Sequence, residues 1–207
     1  MAVNKVSVIN HALRRVGEDP INSIDEQSLP AQIMKDVYDD CLDAELREWP
    51  YPFSVTTQEL STVSAETPPD YTYVFQLPAD YLRMVSIMPT SNTSTLYWRW
   101  DPLYPEKNYT YAQMWKIREG KIYINVDELT IEYVKLEVDP VKWDSLFRDM
   151  FIWRLADEVA MPLTQRVDVA DRCAQRYMMA LQKARGIAGT ETRETTDVSR
   201  NYIKARQ

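Results

Sequence analysis

Apolar residues recur three and four positions apart at the start of the chain, where Val6, Ile9, Leu13 and Val16 share one face of a helix predicted from about Asn4 to Val16. Gly17 supplies a C-cap and Pro20 forbids continuation. After a loop from Ile21 to Gln27, Ser28 can cap a second helix with the apolar stripe Ile33, Met34, Val37, Tyr38, Cys41, Leu42, Leu46 and Trp49. Its other face carries Asp36, Asp39, Asp40, Asp43 and Glu48. Pro50 and Pro52 then end the helix and force an extended path. From Phe53 to about Val138 the period changes to alternation, and Val-, Ile-, Thr- and Tyr-rich runs are bounded by Pro, Asn and Asp. Strands are predicted at Phe53 to Leu60, Tyr71 to Leu77, Leu82 to Met88, Thr95 to Trp100, Met114 to Arg118, Lys121 to Val126 and Thr130 to Val138, with Glu119-Gly120 as a tight hairpin turn. The connections Ser61 to Asp70 and Asp101 to Ala112 read as exposed loops.

Helical spacing returns after Asp139-Pro140. Trp143, Leu146, Phe147, Met150, Phe151, Leu155 and Val159 form an apolar face broad enough to be buried on more than one side. Pro162 is expected to stop this helix or open the next. Thr164 or Asp168 can cap a fourth helix, with Ala170, Cys173, Ala174, Tyr177, Met178, Leu181 and Ala184 on its stripe and Gly186 closing it. Beyond Gly189 the sequence is too polar to bury, apart from Tyr202 and Ile203. Neither terminal helical pair can hide its apolar face alone. The economical fold is α+β: a bundle of about four helices built from both chain ends, with an antiparallel β-rich domain inserted between, and the two cysteine-bearing helices as neighbours. The segments are residues 1–52, first half of the bundle; 53–138, β-rich domain; 139–187, second half of the bundle; and 188–207, a flexible C-terminal arm.

Composition narrows the function more than the fold. With 207 residues the chain suffices for a sizeable core without staples. Its two cysteines, Cys41 and Cys173, fit buried free thiols made in a reducing compartment. No apolar run approaches the roughly 20 residues that cross a bilayer, and the N-terminus lacks a signal-peptide core. A net charge of −7 opposes broad binding to phosphates, and the eight acids from Asp25 to Glu48 face only Lys35 and Arg47. The 13 tyrosines and six tryptophans against four phenylalanines suit either interfaces or a β-rich core with wet polar tips.

Catalytic chemistry is sparse. His11 is the single histidine, which removes most imidazole-dependent triads and any His-rich metal site. Four glycines provide no phosphate-binding fingerprint. No metal or cofactor is implied. The route left to an enzyme is a carboxylate pair, as in hydrolysis of glycans or peptidoglycan, with Asp39, Asp40, Asp43 and Glu48 as the densest cluster. Asp157 and Glu158 are a poorer pair, since adjacent helical side chains diverge. A solvated helix face is the plainer reading of the cluster. If copies of the helix lined a ring, Asp36, Asp39, Asp40 and Asp43 would make a lumen past which DNA slides without adhering.

Two segments carry a family resemblance. The first is the helix ending Gly17-Glu18-Asp19-Pro20, followed by an acidic helix ending Trp49-Pro50-Tyr51-Pro52-Phe53; the second is Leu77-Pro78-Ala79-Asp80-Tyr81-Leu82-Arg83. Together they resemble the tubular tail protein A family of short-tailed bacteriophages. Trp98 to Trp115 matches no pattern of that family. The resemblance implies a structural virion protein at the head-tail junction, assembled in the host cytoplasm and associated with no membrane. It would be an adaptor forming a ring, dodecameric in that family, between the portal protein and the tail nozzle protein of the tubular tail protein B type, with a channel for DNA ejection. Similarity to more distant head-completion proteins implies a C-terminal portal-docking arm, here carrying Arg193, Arg200, Tyr202, Ile203, Lys204 and Arg206.

Overall fold

A computed structural model describes residues 3–63, 69–89, 98–99 and 115–191. Helix α1 spans Lys5–Val16 and opens with a capping box: Asn4 Oδ1 accepts the Ser7 amide at 2.7 Å while Ser7 Oγ accepts the Asn4 amide at 3.0 Å. Gly17 ends the helix in the left-handed region, φ 93°, with its N–H on the Leu13 carbonyl at 3.0 Å. Gly17→Ala is expected to cost about 1 kcal/mol through backbone strain alone, since no atom lies within 4 Å of the added Cβ. Urea unfolding that shows no loss would contradict that origin of the turn.

Helix α2 spans Leu29–Glu48, with Pro30 in its first turn, where a missing N–H costs nothing. Helix α3, Ser145–Thr164, is capped by Asp144, whose carboxylate accepts the amides of Leu146 and Phe147 at 2.7 and 3.2 Å. It is the central post of the bundle, packing against α1, α2 and the last helix, α4 (Val167–Glu191), so its apolar face is buried on several sides as the sequence predicts. The backbones of α2 and α4, the cysteine-bearing helices, each pack chiefly on α3, and side chains join them to each other. Cys41 and Cys173 are buried free thiols, and burial pushes the Cys41 thiol up to about 11.

Two helix boundaries differ from expectation. Pro162 neither stops α3 nor opens α4: it lies in the last turn of α3, which continues to Thr164 and closes at Gln165, φ 54°. Pro162 has no N–H to give the Glu158 carbonyl, but only the last turn follows it, and there the Thr164 hydroxyl donates to the Ala160 carbonyl. Gly186 does not close α4 either. The helix runs through Gly186 and Gly189 to Glu191 because Ala184 and Ala188 continue its buried stripe and Gly189 lies against Trp49. That packing outweighs the roughly 1 kcal/mol helical penalty of each glycine. Residues 188–191, assigned from sequence to a flexible arm, are therefore helical.

Between the helical halves, a single 3-10 turn at Pro52–Ser54 leads into strand β1 (Val55–Leu60). Strands β2 (Tyr73–Gln76), β3 (Tyr81–Pro89), β4 (Trp98–Arg99), β5 (Lys116–Arg118), β6 (Lys121–Ile124) and β7 (Leu129–Lys135) follow. They form two antiparallel sheets of order β1-β7-β3-β4 and β2-β6-β5. Glu119 and Gly120, φ 52° and 70°, make the two-residue hairpin between β5 and β6. Of the two loops expected to be exposed, Ser61 to Val63 includes a bridge from Thr62 to Phe75, while Asp101 to Ala112 lies outside the described residues.

The four-stranded sheet is a shared wall. Val55, Leu82, Val85 and Val134 join the bundle core, whereas Leu60, Met84, Ile87, Leu129, Ile131 and Tyr133 join a second core with Phe75, Leu77, Ile122 and Ile124 of the smaller sheet. Two register shifts in β3 make this possible: against β7 they admit Leu82 and Val85 as extra residues, and both turn towards the helices.

Candidate functional site

The Trp49-to-Phe53 exit is where bundle and sheets are joined. Tyr51 and Phe53 wedge against Phe147 of α3, with ring centroids 4.7 and 4.9 Å away, and Trp143 and Phe151 extend the aromatic cluster at 5.3 and 6.0 Å from Phe147. Tyr38 of α2 meets Phe151 edge-on at 5.3 Å. Many of the aromatics that sequence left divided between interface and core are thus core, with Tyr38 and Tyr51 buried.

The Leu77-to-Arg83 element reaches the same junction from the sheet side. The Leu77 amide donates to Gly120 O at 2.9 Å, tying the turn to the hairpin, and the Tyr81 amide donates to Pro78 O at 3.1 Å. Asp80 Oδ1 accepts the Tyr133 hydroxyl at 3.0 Å, and Tyr81 packs beside the Tyr133 ring at 5.8 Å. Leu82 enters the bundle core. Arg83 Nη1 donates to Glu48 O at 2.9 Å, placing a cation where the last carbonyls of α2 lack helical partners. Tyr133→Phe is expected to cost about 1 kcal/mol by removing the one hydroxyl proton that Asp80 Oδ1 accepts, with Gln58 Oε1 as the alternative acceptor at 3.2 Å. Unchanged urea stability in that variant would mean the bond contributes nothing net.

Behind the junction lies a buried polar cluster that sequence reading missed. Glu45 is 3% exposed; its Oε1 accepts the Tyr177 hydroxyl and lies 3.5 Å from Arg154 Nε. Arg154 also meets Glu158 at 2.6 Å and Asp157 at 3.9 Å, and Arg185 meets Glu48 at 2.9 Å. Burial holds the Glu45 carboxyl above the ordinary glutamate range against the opposing pulls of Tyr177 and Arg154. Burial likewise raises Asp157. The sequence signal was Glu45's place on the apolar stripe, four residues after Cys41 and three after Leu42.

The acidic face of α2 is outward. Asp36, Asp39 and Asp40 are exposed and Asp43 half-buried, and Asp39 pairs with Lys5 of α1 at 2.7 Å. These positions lack the enclosure that keeps a catalytic acid protonated. A groove of 250 Å³ lies elsewhere, between α1 and α3, lined by His11, Arg15, Arg148 and Asp149 among others. Among the described residues no group of three or more His, Cys, Asp or Glu could hold a metal ion, and no helix is long and apolar enough to cross a membrane. The Gly17-Glu18-Asp19-Pro20 turn precedes α2 in the chain, whereas Trp49 follows it. Arg193, Arg200, Tyr202, Ile203, Lys204 and Arg206 lie outside the described residues, as does most of Trp98 to Trp115. No protein-family model matches the chain, and no curated protein matches it significantly.

Proposed function

We propose that this chain is a structural virion protein, a head-to-tail adaptor that assembles as a ring between the portal and the tail nozzle of a short-tailed phage and leaves a channel for DNA. The observation that supports this most is the convergence of segments carrying the resemblance. Arg83, at the end of the Leu77-to-Arg83 element, donates to the carbonyl of Glu48, the residue before Trp49 at the end of α2 and 35 residues away in sequence. These segments brace the joint between bundle and sheets, which is the part an adaptor needs rigid when it transmits contact from one assembly to another. The segment following Glu191 is the portal-docking element, and its contacts with the portal supply the interface energy that the separate, negatively charged copies lack.

Sedimentation of the full chain with purified portal rings tests this reading. The full chain is expected to co-sediment, and a chain ending at Glu191 with unchanged thermal unfolding is expected to stay in the supernatant. Equal binding of both would remove the docking role of the arm, and no binding of either would remove the adaptor role.

A further inference from the structure

The exposed sides of α2 and α4 carry opposite charges at matching intervals. Asp36, Asp40 and Asp43 lie on the side of α2 away from buried Tyr38, Cys41 and Leu42, and none forms a salt bridge with a described residue. On α4, Arg176 and Lys183 are exposed and likewise without a salt-bridge partner among the described residues. Asp36 and Asp43 are separated by two helical turns, about 10.5 Å, and so are Arg176 and Lys183. Between the two cations stands Met179, 63% exposed, with Met178 and Ile187 exposed beside it at 52% and 46%. Gly186, on the same flank, has no atom within 4 Å of where a Cβ would stand, so another backbone could approach closely. Arg172 extends the basic side by one turn, its Nη2 donating to Arg15 O at 3.2 Å.

Within one chain the two stripes do not meet: among the described residues no salt bridge joins them, and α2 and α4 touch through Glu45–Tyr177 and Glu48–Arg185 instead. We propose that the Asp36-Asp40-Asp43 stripe of one copy docks on the Arg176-Met179-Lys183 side of α4 in the next copy. The occupant is a second copy of this chain: charge complementarity and equal spacing select it, and the methionines supply apolar contact that either acidic DNA or a purely ionic pairing would leave unused. Such a contact is head-to-tail, joining unlike surfaces, and repeats into a closed ring when the rotation allows. It rests on the ring reading above and gives the acidic stripe a subunit contact in place of the channel-facing role expected from sequence.

Disulfide trapping between full-length chains tests it. Chains carrying Asp40→Cys mixed with chains carrying Met179→Cys under a mild oxidant are expected to cross-link about ten-fold faster than either variant alone. Adding Arg176→Glu and Lys183→Glu to the second chain should abolish the advantage, and adding Asp36→Lys and Asp43→Lys to the first should restore it. Equal rates in mixed and unmixed samples, or indifference to the charge reversals, would overturn the contact. If chains carrying only Arg176→Glu and Lys183→Glu still form rings on the portal, this interface falls while the ring reading stands. If the mixed pair cross-links as expected but no ring forms on the portal, the contact stands and the ring reading falls.

Discussion

Replacing Phe147 by alanine is expected to lower the unfolding free energy by about 3–5 kcal/mol. Phe147 is fully buried in the first turn of α3, surrounded by Tyr51, Phe53, Trp143 and Phe151. Two of those rings belong to the exit from α2, so the cavity would open at the joint between bundle and sheets rather than within one layer. Phe147→Leu keeps most of the volume and is expected to cost less than about 1.5 kcal/mol. Equilibrium urea unfolding followed by both tryptophan fluorescence and far-ultraviolet circular dichroism measures the difference. A loss below about 1 kcal/mol for the alanine variant would mean that the aromatic cluster is not the joint's main source of cohesion.

Arg154→Leu should be nearly as damaging, and its effect should depend on pH. The substitution leaves the buried Glu45 carboxylate without its nearest cation and also removes the contacts to Asp157 and Glu158. Breaking a buried pair costs about 3–5 kcal/mol; because the Arg154 side chain keeps 27% exposure, about 2–4 kcal/mol is expected at pH 7. Glu45 has a folded pKa raised above 4.5, principally by burial. Its contribution to stability is therefore fully present below its unfolded pKa and is lost as pH rises through the folded value. Removing Arg154 raises the folded value further, so the deficit should grow from about pH 4.5 to pH 7 and shrink on acidification. Adding Glu45→Gln to Arg154→Leu should recover part of the loss at pH 7, because a neutral amide replaces the stranded carboxylate. A deficit that stays constant with pH would place the damage in lost packing of the arginine stem instead.

Local signals in the sequence specify most of the elements. Gly17 and the Glu119-Gly120 turn are legible because their backbone conformations favour particular residues, and the four helices because their apolar spacing is regular. What escaped was decided by partners distant in the chain. Gly186 and Gly189 remain helical because Ala184 and Ala188 pack in the bundle core and Gly189 lies against Trp49, which no local propensity contains. The extra residues Leu82 and Val85 follow from the need of one sheet to fill two cores. Glu45 finds Tyr177 across 132 residues, a partner that nothing in its own helix announces. The junction shows the same division: Trp49-Pro50-Tyr51-Pro52-Phe53 marks an abrupt change of path, but only the folded chain shows Arg83 arriving there.

The central claim is that this chain acts by ring assembly under a portal. Electron cryo-microscopy of the full-length protein mixed with purified portal tests it most directly. The expected result is a closed ring of copies coaxial with the portal and an open channel through its centre. Portal particles bearing no added ring at saturating protein would contradict the claim.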